Sequence, residues 1–221
     1  THGSQLVRDL APRVGIIPAE HFYWLSQKPY ASYEASVDGA SGDLGPTLSL
    51  HRLAGDAATV LQSSVGVSAI GGSRTLRFVN DRPVSQNGEL LRVRSGSCSS
   101  NCGPDDVYRI RLRETTGRIA RFNNSSSQVT VAILQNVSGG TLTGTMYFWR
   151  ANGTLAATHP FSLAPRALLV LNTSSLPGLA GTSGAVTVAH DGGYGGLVGK
   201  GVALEPATGF SFDSPMVPVL R

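Results

Sequence analysis

Apolar and polar residues alternate with a period of two along most of this 221-residue chain, the mark of strands that bury one face. Tyr33, Ala35 and Val37 alternate with Glu34 and Ser36, Leu48 and Leu50 with Ser49 and His51, and Leu76 and Phe78 flank Arg77. Leu91 and Val93 interleave with Arg92 and Arg94. Tyr108, Ile110 and Leu112 interleave with Arg109, Arg111 and Arg113. Turn residues punctuate these runs at Asp38-Gly39, Gly71-Gly72 and Asn87-Gly88; the last precedes a strand and reads as a hairpin turn.

After Thr115-Thr116-Gly117 the pattern restarts. Val129, Val131 and Ile133 form one strand, and Leu142 to Trp149 form another that closes on the turn Arg150-Ala151-Asn152-Gly153. Ala167–Leu171, Ala185–Ala189 and Leu197–Leu204 supply three more, and Ser174–Ala180 has room for one helical turn. This density of short strands and polar turns predicts an all-β fold of two tandem β-sandwich domains, residues 1–117 and 118–221.

Composition agrees. Charged residues are only 14% of the chain, while 27 Gly and 12 Pro supply turns. Lys28 and Lys200 are its lysines, so the net charge of +4 is carried by Arg. The arginines are spread along strands rather than clustered with interleaved aromatics, which argues against a nucleic-acid binder. No apolar run reaches the ~18 residues of a membrane span. Thr1-His2-Gly3-Ser4 has no signal-peptide pattern, so an exported form implies a leader already removed or a longer precursor.

Cys98 and Cys102 sit in Ser-Gly-Ser-Cys-Ser-Ser-Asn-Cys-Gly-Pro. Three small residues between them in a turn-rich loop point to a local disulfide, worth about 2 kcal/mol on the chain-entropy model, and hence to an oxidising compartment. A zinc site needs about four ligands, and no His or second Cys pair lies nearby.

A resemblance enters at His21-Phe22-Tyr23-Trp24-Leu25, Ser32-Tyr33-Glu34-Ala35-Ser36-Val37, Gly45-Pro46-Thr47-Leu48-Ser49-Leu50 and Asp106-Val107-Tyr108-Arg109-Ile110-Arg111. On these segments, residues 5 to 113 resemble the bacterial pre-peptidase C-terminal (PPC) domain, a jelly-roll-like sandwich appended to secreted enzymes and surface proteins. His21 stands where that family often has Asp. The second half, through Phe161–Leu171 and Glu205–Asp213, is similar to Ig-like or fibronectin-like domains near the C-termini of secreted bacterial proteins. The resemblance implies an extracellular accessory role and names no substrate.

Chemistry is sparse. His2, His21, His51, His159 and His190 are scattered singly, and no nucleophile elbow, zinc helix or phosphate loop appears. The run Gly192-Gly193-Tyr194-Gly195-Gly196 precedes a strand and reads as a tight turn. His190 and Asp191 are adjacent and so point to opposite faces of a strand. The sequence is read as non-catalytic and without a resident cofactor. Calcium is the exception to weigh: Asp38, Asp43, Asp105 and Asp106 lie at turns, with Asp105 and Asp106 as the pair able to offer one arm of a site. The competing reading makes them turn-capping residues.

Binding is the more concrete expectation. If the strands bearing Arg92 and Arg94 and bearing Arg109, Arg111 and Arg113 pair across the cysteine loop, five guanidiniums share one face. Such a face suits an anionic polysaccharide, unless neighbouring carboxylates neutralise it. Phe22 and Trp24 share one strand face, and Tyr147 and Trp149 share another. Most such aromatics are core in a sandwich. Met146 and Phe148 alternate with Tyr147 and Trp149, so one pair faces outward or packs against the other domain, and the Tyr147/Trp149 face is the candidate for an interdomain or partner contact. Asn-x-Ser/Thr triplets occur at Asn123, Asn124, Asn136, Asn152 and Asn172.

Together these predict a secreted or cell-surface accessory, attachment or adhesion module. Its partners would be polysaccharide, other domains of a parent polypeptide, or a protein. The alternative is a subunit of an extracellular filament or surface layer, donating its extended Thr1–Pro18 segment to a neighbour.

Overall fold

The computed structural model describes residues 4–10, 20–41, 48–64, 73–95 and 103–219. Cys98, Cys102, Asp43 and the Gly71-Gly72 turn lie outside the described residues. The chain divides into two compact units, Thr1–Pro29 with Glu34–Arg113, and Tyr30–Tyr33 with Glu114–Arg221.

The first unit carries β1 (Ser4–Asp9), β2 (Glu20–Gln27), β3 (Ala31–Gly39), β4 (Leu48–Leu53), β5 (Val60–Ser63), β6 (Ser73–Asn80), β7 (Gln86–Ser95) and β8 (Val107–Glu114). They form two four-stranded sheets, β1-β8-β3-β6 and β2-β7-β4-β5. With β1 on β8, β2 on β7 and β4 on β5 in antiparallel register, this is the order of an eight-stranded jelly roll. The buried rows are those the alternation marks: Ala35 and Val37, Leu48 and Leu50, Leu76 and Phe78, Leu91 and Val93, Tyr108 and Ile110. Asn87-Gly88 is not a hairpin turn. Both residues lie inside β7, opposite a register shift between Leu25 and Gln27. There the carbonyl of Gly88 lies 2.5 Å from where a Cβ on Gly55 would stand, so chain approach rather than a turn accounts for the glycines.

The second unit carries β9 (Gly117–Asn123), β10 (Val129–Asn136), β11 (Leu142–Arg150), β12 (Leu155–Leu163), β13 (Leu168–Asn172), β14 (Ser183–His190), β15 (Leu197–Glu205) and β16 (Phe210–Pro218). Their order is β12-β11-β14-β9-β16-β15-β10-β13. β16 joins the two halves: Phe210–Pro215 pairs with β15, and Met216–Pro218 turns onto β9. The central neighbours β10/β13 and β11/β14 are those of an Ig-type sandwich. The first and seventh strands of the unit, β9 and β15, lie on the halves opposite to those an Ig domain gives them. One core holds the unit: Ile119, Phe122, Leu134, Leu142, Met146, Phe148, Val186 and Val188, with Phe122 edge-on to Phe148 at 5.6 Å. The helical turn lies slightly earlier than expected, as a 3₁₀ turn at Thr173–Ser175 capped by Asn172. Asn152-Gly153 makes the expected tight turn between β11 and β12, with Gly153 at φ +80° and its N–H bonded to the Arg150 carbonyl.

On β10 the buried row is Thr130, Ala132, Leu134 and Asn136, while Val129, Val131 and Ile133 are half-buried on the other face. The polar members of the inner row are satisfied. Asn124 Oδ1 accepts from the Thr130 N–H at 3.0 Å and the Thr173 hydroxyl at 2.9 Å. Asn136 Nδ2 reaches the carbonyls of Gly140, Leu163 and Ala164 at 2.7, 3.0 and 3.1 Å. No helix among the described residues is long and apolar enough to cross a membrane.

Candidate functional site

The outer face of β2-β7-β4-β5 gathers the side chains with binding chemistry. Antiparallel register places directly paired residues on the same side. Glu20, Arg94 and Ser49 make one row, Phe22, Arg92, His51 and Ser63 the next, and Trp24, Leu90, Leu53 and Val60 the third, in which Leu90 and Leu53 are buried. Trp24 is 75% exposed and Phe22 42%. Along β2 their side chains stand about 7 Å apart, and neighbouring strands are about 4.8 Å apart.

The polar side chains between the aromatics are held in place. His51 Nδ1 lies 2.9 Å from the Ser63 hydroxyl and Nε2 lies 3.1 Å from that of Ser49. Burial, and then the Arg92 and Arg94 guanidiniums, hold His51 below the usual imidazole range, so the ring is neutral near pH 7. Glu20 Oε2 stands 3.9 Å from Arg92 Nε, a charge contact too long for a hydrogen bond. The result is a surface with two exposed apolar rings, two cations, one anion and three neutral hydrogen-bonding groups.

The five-arginine face does not form. β7 and β8 belong to different sheets, because in this jelly roll the chain crosses between layers after β7 and the two strands do not make a hairpin. Arg92 and Arg94 therefore stand apart from Arg109, Arg111 and Arg113. On the β8 sheet Arg111 is ion-paired with Asp38, and Arg77 Nε lies 2.9 Å from Glu34 Oε2. There carboxylates of β3 answer these two guanidiniums, as the competing reading holds. Among the described residues no exposed aromatic shares that face.

The Tyr147/Trp149 face is not open to a partner. Tyr147 is 3% exposed. The Tyr30 ring covers it at 4.7 Å and meets Trp149 at 5.3 Å, nearly edge-on. Trp149 Nε1 donates to Thr187 Oγ1 at 3.0 Å. Met146 and Phe148 fill the opposite side, so β11 is covered on both faces from within the chain.

Asp106 Oδ2 accepts from the Gly103 N–H at 2.6 Å, which makes it a turn-capping residue, and the Asp105 carbonyl accepts from the Ser41 hydroxyl. Among the described residues no three His, Cys, Asp or Glu side chains gather as metal ligands. His190 is buried and its Nδ1 accepts from Gly192 N–H at 3.1 Å. Asp191 instead clamps Thr143 through N–H and hydroxyl at 2.7 and 2.6 Å.

Glu20, His51, Ser49 and Ser63 enter the site only through strand pairing. The usable sequence signal was Phe22-x-Trp24 itself, which places two large rings in one row of β2.

No family model matches the chain, and no curated protein matches it. Among solved structures it is similar to a β-glucuronidase of Bacteroides uniformis, with 13% identity and a TM-score of 0.21 over 90% of this chain and 26% of that one. It is also similar to a glycosyl hydrolase family 2 member from Bacteroides cellulosilyticus DSM 14838, with 9% identity and a TM-score of 0.24 over 96% and 31%. A third is the CUB1-EGF-CUB2 segment of human MASP-1/3, with 9% identity and a TM-score of 0.26 over 86% and 100%. The chain spans about a quarter of the length of the first glucuronidase it matches. At these identities and scores no residue role passes to this chain.

Proposed function

We propose that this chain is a non-catalytic binding module of a secreted bacterial protein, of the PPC-like kind, and that it holds polysaccharide on the outer face of β2-β7-β4-β5. The observation that carries the proposal is Trp24, 75% exposed, in one row with Phe22 on a sheet face. A large apolar ring left in water on a regular strand is unfavourable by roughly 2 kcal/mol relative to burial. Such a ring is retained most economically where a ligand covers it, and flat rings suit the C–H faces of sugars. Glu20, Ser49, Ser63 and His51 offer the donors and acceptors that sugar hydroxyls need. The alternative of strand donation between subunits loses part of its basis, since Ser4–Asp9 is already paired with β8 within the chain.

The test is co-sedimentation or affinity electrophoresis of the intact chain against a panel of neutral and acidic polysaccharides. Trp24→Ala should lower affinity at least tenfold for whichever polysaccharide binds, with the melting temperature unchanged. Unchanged affinity in W24A removes this face as the site.

A further inference from the structure

We infer that the glycan held on this face is anionic, its carboxylate or sulfate groups paired by Arg92 and Arg94 while its rings lie on Phe22 and Trp24. This rests on the polysaccharide proposal above and narrows it to a substrate class.

Arg92 is directly opposite Phe22 on one side and His51 on the other, and Arg94 is opposite Glu20 and Ser49. Each guanidinium is thus one strand, about 4.8 Å, from the aromatic strand. A sugar ring seated on Phe22 or Trp24 puts its exocyclic acid group over β7.

Glu20 is the one carboxylate in the three rows, and its 3.9 Å separation from Arg92 Nε leaves that nitrogen buried with no hydrogen-bond partner. The Arg94 side chain is exposed and makes no ion pair among the described residues. A planar guanidinium is shaped to bind a carboxylate or sulfate through two N–H groups. On the β8 sheet Arg109 and Arg111 also keep a buried Nε without a hydrogen-bond partner, but there Arg111 and Arg77 have carboxylate partners from β3.

The same count separates a glycan from a nucleic acid. Two cations against one anion leave an excess of one positive charge over three rows. A phosphodiester track calls for a cation at nearly every phosphate it contacts. Neutral His51, bracketed by Ser49 and Ser63, adds hydroxyl-matching groups instead of charge.

The experiment compares the intact chain, at one fixed ionic strength, on polygalacturonate, dextran sulfate, unsubstituted dextran and single-stranded oligothymidylate. At least one of the acidic polysaccharides should bind tenfold or more tightly than dextran. Arg94→Gln should bring that affinity down to the dextran level with an unchanged melting curve, and Arg92→Gln should do the same if it folds. Arg109→Gln, on the other sheet, should leave binding as it was. Equal affinity for acidic and neutral chains, with R94Q silent but W24A impaired, overturns the anionic inference and leaves the polysaccharide proposal standing. An equal loss in R109Q shows generic charge attraction and also overturns it. Tighter binding of oligothymidylate overturns both, as does an absence of glycan binding on every probe.

Discussion

The hydroxyls of Tyr23 on β2 and Tyr108 on β8 share a hydrogen bond, which ties the two sheets of the jelly roll together through their interior. Tyr108 is fully buried, and its oxygen also lies 2.6 Å from His21 Nδ1. Tyr108→Phe keeps the ring and removes the shared oxygen, orphaning partly buried groups on Tyr23 and His21. The expected cost is about 1–3 kcal/mol, read as a lower denaturant midpoint with an unchanged m-value.

The same pair makes the first unit sensitive to alkali. Burial, and then the hydrogen bond and charge interaction with Tyr23, push the Tyr108 phenol above its usual range; burial likewise raises Tyr23. A raised folded-state value means that above about pH 10 the unfolded chain gives up the proton first. Stability is then whole below pH 10 and falls as pH rises, by up to about 1.4 kcal/mol per pH unit from Tyr108. Urea titrations from pH 8 to 11 should show this slope, and Y108F should flatten it. A slope identical in Y108F and the parent would refute the assignment.

Intrinsic fluorescence separates the two tryptophans. Trp24 is open to water, whereas Trp149 is half-buried under Tyr30 with its N–H bonded to Thr187. Acrylamide should quench the parent strongly and Trp24→Phe weakly. In the W24F background, Tyr30→Ala should shift the emission to the red and restore quenching. An unshifted spectrum would mean that Tyr30 does not shield Trp149.

Made in a host that glycosylates Asn-x-Ser/Thr, folded protein should carry glycan at Asn152 and Asn172 and none at Asn123, Asn124 or Asn136. The first two are exposed. The amide nitrogens of the others are committed inside the fold: Asn123 to Gln128, Asn124 to Leu179 at 3.2 Å and Asn136 to three carbonyls. Peptide mapping by mass spectrometry decides it, and glycan on Asn136 in soluble, folded material would contradict the packing described.

Gly184→Ala should be among the most damaging single changes. Its Cβ would stand 1.7 Å from the Trp149 carbonyl oxygen, a backbone atom that has no rotamer with which to retreat. A loss of about 3 kcal/mol or more is expected, visible as aggregation or a lowered melting point. Gly139→Ala, with nothing within 4 Å, serves as the silent control.

The apolar pattern located β3, β4, β6, β7, β8, β10, β11, β13, β14 and β15, most of them through one apolar row alternating with a more polar one. β12 and β16 were hidden by Pro160, Pro215 and Pro218. Pro160 is tolerated because β12 ends the sheet and an edge strand can spare a donor. The outward face of β2 was illegible for a different reason. His21, Tyr23 and Leu25 form a row nearly as apolar as Phe22 and Trp24, so period two gives the rows without saying which is wet. The arginine stripes were each legible on their strands. Their separation was not, since it depends on consecutive strands crossing between sheets, a property of the whole topology. On β11 both alternating pairs are apolar, so the sequence holds no sign of which one distant Tyr30 covers.

That cover has a consequence for the order of folding. Tyr30–Tyr33 counts with the second unit, yet it opens β3 and precedes β4 to β8 of the first. Ser32 meets Thr116 across 84 positions. Contacts of such long sequence separation form late and slow the search. On a ribosome, this segment emerges early and waits for its second-unit partners until β9 to β16 have been made. The second unit should accordingly mature in two kinetic steps, sandwich assembly and then capping by Tyr30, with Trp149 emission reporting the second.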